Sequence, residues 1–264
     1  MKAHVYDNAG TRVKEITLPS VFATAKKPLV IKRAVLAMQA NKRQPYGSDP
    51  LAGKRTSAHY HARRRYRFAM MNKEMSRIPR IHGKGAGHYA YVARFAPHAV
   101  KGRKAHPPKA EKIWALKVNV KERQLAVKSA LAYAADLAAV QQHGYKTTSA
   151  PIIFLNEFET LAKTKDVMEL LEKIIPAELE RCAKKKVRAG KGTMRGRKYN
   201  KKVGPLIITG AVCNVQKAAK NIPGVDAVSY DELNAELLAP GAQPGRLIIV
   251  TESALQKLAE KFGE

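Results

Sequence analysis

The chain has 264 residues, with 49 Lys or Arg against 21 Asp or Glu and a formal net charge of +28. Its length suits one sizeable domain or two small ones, and its charge is poorly tolerated in isolation, so the composition points to a polyanionic partner. Cys182 and Cys213 have neither a C-x-x-C partner nor a histidine at finger spacing; they read as small buried apolar residues, not as a zinc finger or a disulfide framework.

Met1 to Thr11 shows no signal peptide, and no apolar run approaches the roughly 18 residues of a membrane span. The expectation is a soluble intracellular protein with no membrane contact. From the start, Lys2 to Tyr6 and Thr11 to Ile16 alternate apolar with polar around Asp7-Asn8-Ala9-Gly10, which predicts a β-hairpin. Pro28 opens a helix with Leu29, Ile31, Ala34, Val35 and Met38 as its apolar stripe.

From Lys42 to Lys109 the apolar pattern disappears. These 68 residues hold 17 cations, two acids (Asp49 and Glu74) and six of the eight histidines. Rings at Tyr46, Tyr60, Tyr66, Phe68, Tyr89, Tyr91 and Phe95 lie among the charges, beside a glycine cluster at Gly83, Gly85 and Gly87. Phosphate neutralisation, base stacking and close backbone approach need that mixture. The segment exceeds the roughly 12 to 15 residues of an ordinary structureless loop. It reads as a nucleic-acid-binding arm, disordered when free and ordered on a polyanion. A plain solvated linker is the alternative, against which stand the rings and the rigid Ile78-Pro79-Arg80 and His106-Pro107-Pro108 segments.

The candidate contacts of the arm are Arg43, Lys54, Arg55, His59, His61, Arg63, Arg64, Arg65, Arg67, Arg77, Arg80, His82, Lys84, His88, Tyr89, Arg94, Lys101, Arg103, Lys104, His106 and Lys109. His59 and His61, in an Arg-rich run, suit base stacking or phosphate donation better than metal binding. Trp114 is the anchor expected where the arm rejoins the body. A second stretch, Lys184 to Lys202, holds ten cations and no acid, and offers Arg188, Lys191, Arg195, Arg197, Lys198, Lys201 and Lys202. The other 177 residues carry 22 cations and 19 anions, a net of only +3. Two basic appendages therefore hang from a nearly neutral body.

Beyond the arm, Asn119 and Glu122 form a capping box for an Ala-rich helix through Leu125, Val127, Ala130, Leu131, Ala134, Leu137 and Ala138, with Gly144 as its stop. Strand-then-helix units follow. Pro151 to Leu155 precedes a helix through Val167, Leu170, Leu171 and Ile174, and Pro205 to Thr209 precedes one over Val215 to Lys220. Val225 to Ser229 leads into a helix over Asp231 to Leu238, and Arg246 to Val250 into a terminal helix capped by Thr251 and carrying Leu255, Leu258 and Phe262. Strands apolar on both faces, alternating with helices, imply a covered parallel sheet. The fold class is α/β: a three-layer α/β/α sandwich with a mostly parallel, Rossmann-like sheet, plus the long extended basic loop. The second basic stretch falls between a helix and the strand at Leu206, as a loop or a frayed helix end.

A doubly wound sheet invites a nucleotide cofactor, which would sit on glycine-rich strand-to-helix turns. The turns here read Asn156-Glu157-Phe158-Glu159, Gly210-Ala211-Val212 and Thr251-Glu252-Ser253, without the necessary glycines. Gly83-Lys84-Gly85-Ala86-Gly87 misses the dinucleotide spacing, and Gly190-Lys191-Gly192-Thr193 is a fragment of a P-loop. Glu157 and Glu159 lack a nearby nucleophile and read as charge dressing a helix N-terminus. No cofactor, no metal and no catalysis are expected. An RNA-modifying enzyme and an architectural DNA-binding protein remain as rival readings.

Several motifs carry a resemblance: Gln44-Pro45-Tyr46-Gly47-Ser48-Asp49, Ser76-Arg77-Ile78-Pro79-Arg80, Lys101 to Lys109 with its Ala-His-Pro-Pro-Lys, Lys121-Glu122-Arg123-Gln124-Leu125-Ala126, Arg188 to Tyr199, and Leu238-Ala239-Pro240-Gly241. Over nearly its whole length the chain resembles the family of the fourth protein of the large ribosomal subunit, in its archaeal and eukaryotic form. It stops near Glu264 without the long eukaryotic extension, so it resembles the archaeal members. That resemblance implies a structural, cytoplasmic, ribosome-bound protein that contacts large-subunit rRNA and supports assembly and translation. It divides the chain into a body of residues 1–41 and 110–264 and an inserted arm, 42–109, whose tip, about 59–91, helps line the polypeptide exit tunnel. Lys101 to Lys109 would be its returning limb and 184–202 a second rRNA anchor. The implied partners are large-subunit rRNA, neighbouring large-subunit proteins including the other tunnel-lining protein, and the nascent polypeptide. The run Ala62-Arg63-Arg64-Arg65-Tyr66-Arg67 is more cationic than the glycine-rich tips of archaeal members.

Overall fold

The short apolar runs of the sequence become the centre of one sheet. A computed structural model describes residues 1–263. The chain falls into two compact units, one running from Met1 to Lys42 and resuming at Ala115, the other spanning Arg43–Trp114. The first begins with β1 (Lys2–Tyr6), β2 (Arg12–Thr17) and α1 (Pro28–Asn41). After the second unit come α2 (Val120–Ala134), α3 (Leu137–Gln142), β3 (Ile152–Phe154), α4 (Thr164–Ile174) and α5 (Pro176–Ala183). A ribbon of β4 (Lys186–Val187) and β5 (Tyr199–Asn200) follows. The chain ends with β6 (Leu206–Thr209), α6 (Asn214–Ala219), β7 (Asp226–Ser229), α7 (Ala235–Leu238), β8 (Ile248–Thr251) and α8 (Glu252–Phe262).

Among the described residues the main sheet has the order β2-β1-β3-β8-β6-β7, with β1 and β2 antiparallel and every other pairing parallel. The period-two alternation of a strand sends neighbours to opposite faces, and each face meets its own apolar cluster. Val5, Ile153, Ile208, Ile248 and Val250 pack with α1, α2, α7 and α8. Tyr6, Ile152, Phe154, Ile207 and Ile249 pack with Val140 of α3, Val167 of α4, Leu179 of α5 and Val215 of α6. The result is the three-layer α/β/α sandwich with a mostly parallel sheet that the sequence predicts.

Five details differ from the sequence reading. Leu29 is 79% exposed, because α1 turns Ile31, Ala34, Val35 and Ala37 inward instead. The helix from Val120 stops at Ala134, where Asp136 caps a separate turn of helix by accepting from the Ala138 N–H at 3.1 Å. Its own N-cap, Asn119, makes no side-chain capping bond. The helix expected over Asp231 to Leu238 forms only at Ala235–Leu238, capped by Asn234. Cys182 is buried as expected, whereas Cys213 is only half-buried.

The carboxyl ends of the parallel strands are laced shut by side chains. Glu159 Oε1 accepts from Thr251 Oγ1 at 2.6 Å, from the Gly210 N–H at 2.9 Å and from Ser253 Oγ. Lys257 Nζ donates to the Gly210 carbonyl at 2.6 Å, and Asn156 Oδ1 accepts from the Ser253 N–H at 2.8 Å. Burial pushes the Glu159 carboxyl up, but the hydrogen bonds from Ser253, Thr251 and Gly210 outweigh it and hold the group below its ordinary range. Glu159 therefore ties three strand ends together and is not a solvated charge on a helix terminus. A Cβ on Gly210 would lie 2.4 Å from Ser253 Oγ, so glycine is what lets this turn close. In folds of this kind that edge is where nucleotides bind.

Candidate nucleic-acid interface

The basic stretch after α5 is neither a plain loop nor a frayed helix end. Lys186 pairs with Asn200 and Val187 with Tyr199, antiparallel, and Arg188 N donates to the Lys198 carbonyl at 2.9 Å. Two-residue strands with fully exposed side chains have no readable alternation, and so escaped the sequence analysis. Arg188, Lys191, Arg195, Arg197, Lys198, Lys201 and Lys202 are all exposed on this ribbon or at its base. Its exit is bolted to the body through backbone carbonyls. Tyr145 Oη donates to Gly204 O at 3.1 Å, Arg181 Nη2 to Val203 O at 2.9 Å and Arg246 Nε to Gly204 O at 2.9 Å. Arg246, only 1% exposed, also donates to Leu237 O at 2.9 Å and pairs with Asp226. Arg181 in turn donates to the fully buried Glu178, which accepts from the Lys146 N–H at 2.6 Å.

The unit Arg43–Trp114 has no sheet or long helix among its described residues. Its buried apolar side chains are Ala69, Met70 and Ala96, too little core to hold a unit of this length by apolar burial. Other contacts hold its shape. Tyr46 and Trp114 stack with centroids 5.6 Å apart and planes 17° apart, Arg43 lies 3.8 Å above the Trp114 ring and Lys112 4.3 Å from it. Ser48 N donates to Pro108 O at 3.0 Å. At Gly53, whose φ is +73°, a Cβ would come 2.6 Å from the Arg103 backbone. The outgoing and returning limbs thus run side by side, and a cleft lined by Tyr46, Lys104, His106, Pro107, Lys109 and Trp114 opens at this end.

Farther out, isolated bridges join His59 to Arg80 and Arg80 to Ala93. Arg80 is half-buried and donates to Tyr91 O at 2.8 Å, Ser76 O at 3.1 Å and Ser76 Oγ at 2.8 Å. Arg94 donates to Ala93 O at 3.0 Å and Val100 O at 3.1 Å. These two guanidinium groups brace the arm's own backbone, as Arg55 does by pairing with Asp49, whose carboxyl that hydrogen bond lowers. Arg43, Lys54, Arg63, Arg64, Arg65, Arg67, Arg77, Lys84, Lys101, Lys104 and Lys109 stand exposed, with His88, Tyr89 and His106, while Arg103 is half-buried.

His59, His61 and His82 turn toward one another, His59 exposed and the other two half-buried. Burial lowers the ability of His61 and His82 to hold a proton, and the neighbouring imidazoles lower it further. Sequence reasoning singled out the first two for their place in an Arg-rich run and counted all three among the candidate contacts. It missed their meeting with His82, which lies more than 20 residues on in irregular chain, where no periodicity signals a contact. It also missed Lys73, which lies 4.8 Å from the Tyr91 ring.

The α/β scaffold has its strand ends tied together by Glu159 and carries two separate sets of exposed cations and rings, the make-up of a basic structural protein. Its family is specific. Residues 16–261 match the model of the ribosomal protein L4/L1 family, and the chain belongs to that family. Family members are structural proteins of the ribosome, not enzymes. Among similar proteins is a large ribosomal subunit protein uL4 from Nanoarchaeum equitans, 46% identical over 266 residues that cover 99% of this chain and 98% of the relative. Proteins of the same name from Methanocaldococcus jannaschii (99% of this chain, 100% of the relative) and Archaeoglobus fulgidus (98% and 99%) are each 45% identical. No helix among the described residues is long and apolar enough to cross a membrane.

Proposed function

We propose that this protein is a structural constituent of the large ribosomal subunit, cytoplasmic and ribosome-bound, which grips large-subunit rRNA through the arm 42–109 and the ribbon 184–202. The observation that carries the reading is the segregation of charge: the arm's net +15 and the ribbon's +10 are displayed mainly on exposed side chains. The names of the relatives support the subunit. The arm's scarcity of core supports an element whose shape is completed by RNA, with exposed cations on phosphates and Tyr46, Tyr66, Tyr89 and His106 beside bases. The arm's outer part, about 59–91, then helps line the polypeptide exit tunnel, beside nascent chain and the other tunnel-lining protein, and the protein supports subunit assembly.

The test is the salt dependence of binding to a large-subunit rRNA fragment. With about ten phosphates neutralised, log K falls against log salt with a slope of roughly −7 to −9. Replacing Arg63, Arg64, Arg65 and Arg67 together with Gln reduces the slope by about 3. A slope near −1, or equal competition by duplex DNA, would overturn the reading.

A further inference from the structure

Three imidazoles from two segments of the arm meet around His82. His61 Nε2 lies 2.8 Å and His59 Nε2 3.0 Å from His82 Nε2, and one ligand atom from each ring lies within 4.8 Å of the others. We propose that His59, His61 and His82 form a transition-metal site, which takes a zinc ion on three neutral imidazoles and leaves a fourth position for an oxygen ligand.

The tautomers favour this assignment. His59 Nδ1 faces the Ser57 carbonyl at 3.1 Å. A carbonyl can only accept, so Nδ1 carries the proton and the Nε2 lone pair points at the other two histidines. Donation of the outer ring nitrogen to a backbone carbonyl is how metal-bound histidines are oriented. A shared proton can satisfy one Nε2-to-Nε2 contact at a time, whereas a cation at the point of convergence accepts all three lone pairs. Zinc bonds of about 2.0–2.1 Å put tetrahedral ligand atoms about 3.3 Å apart, so the two contacts at His82 need to open by a few tenths of an ångström, while His59 and His61, whose ligand atoms lie within 4.8 Å, draw together around the ion. Imidazoles without a carboxylate suit zinc, copper or nickel better than magnesium or calcium.

The surroundings hold the rings in place. His59 and Arg80 exchange backbone hydrogen bonds at 3.3 and 3.1 Å, which brings the His82 limb alongside. Phe68 stacks on His82 at 4.6 Å and Tyr66 sits 4.7 Å from His61. The Arg63 to Arg67 run disfavours a bare dication, yet screening blunts that beyond about 8 Å at physiological salt, and the same run favours an anionic oxygen in the fourth position. A metal here would clip residues 59–61 to 82 and supply stability that so small a core cannot.

The experiment uses the full chain, stripped with chelator and titrated with Co2+ as a spectroscopic stand-in. The expected result is one Co2+ per chain with the visible absorption of a tetrahedral site, displaced by Zn2+, abolished by His82→Asn and by His61→Asn, and retained by His88→Asn. With free zinc at ten times its Kd, tryptic cleavage within Arg63 to Arg67 slows about tenfold in the wild type and is unchanged in His82→Asn. Absence of stoichiometric uptake would overturn the assignment, as would uptake that survives both substitutions.

Discussion

In the body, backbone is fixed by a parallel sheet sealed between two apolar clusters. In the arm it is fixed by guanidinium groups on carbonyls, by a Tyr46–Trp114 stack and by limbs drawn together at Gly53. The difference teaches where stability and function reside. Apolar burial on both faces of the sheet carries the stability of the body. The arm keeps most of its charged side chains in solvent and has almost no core. The body's few buried charges are spent on holding irregular chain, as Arg246 and Glu178 show at the exit of the ribbon.

The sharpest way to break that comparison is at Arg246. Arg246→Met leaves the Leu237 carbonyl without its arginine donor, the Gly204 carbonyl with Tyr145 alone and Asp226 without its partner, and the body should lose about 3–5 kcal/mol in urea unfolding. Should that loss fall below about 1 kcal/mol, the bolt at the ribbon is ornamental. A smaller effect is expected at the strand ends. Glu159→Ala strands the Gly210 N–H and two hydroxyls, for about 1–3 kcal/mol. Because the fold lowers this carboxyl's pKa, its contribution is complete above its ordinary value of 4.5 and disappears as pH falls through the folded value. The stability gap between wild type and Glu159→Ala should therefore narrow in acid, and a gap that is constant down to pH 2 would remove the carboxylate from the account. Smallest for the body is Gly53→Val, which forces a β-branched residue into φ +73° against the Arg103 backbone. Global unfolding should shift by less than about 0.5 kcal/mol, while proteolysis between Lys54 and Arg103 accelerates; an equal loss in the body would mean that the two units are not energetically separate.

Much of this was legible from residues alone, for identifiable reasons. Continuous apolar runs such as Ile152–Phe154 and Ile248–Thr251 are buried on both faces, and a run of that kind announces itself. The charge segregation marks both appendages for the same reason: cations without acids need no fold to be seen. The break at Ala135 was hidden because Ala is equally at home on either side of it, although Asp136 was a usable cap signal. Glu159 reads from sequence as charge dressing a helix N-terminus because its partners, Gly210, Thr251 and Ser253, lie 51 to 94 residues away. The three-histidine cluster was not legible: the sequence names His59, His61 and His82 as separate contacts, and they are brought together through a bridge at Arg80 that no pattern encodes.

The central claim is that arm order is completed by RNA. Limited tryptic digestion of the free protein, run beside the same protein bound to large-subunit rRNA, tests it most directly. The account predicts rapid cleavage between Lys42 and Lys109 in the free form, protection there in the complex, and a body fragment that survives in both. An arm equally resistant in both states would contradict it, and would make Arg43–Trp114 a folded domain in its own right.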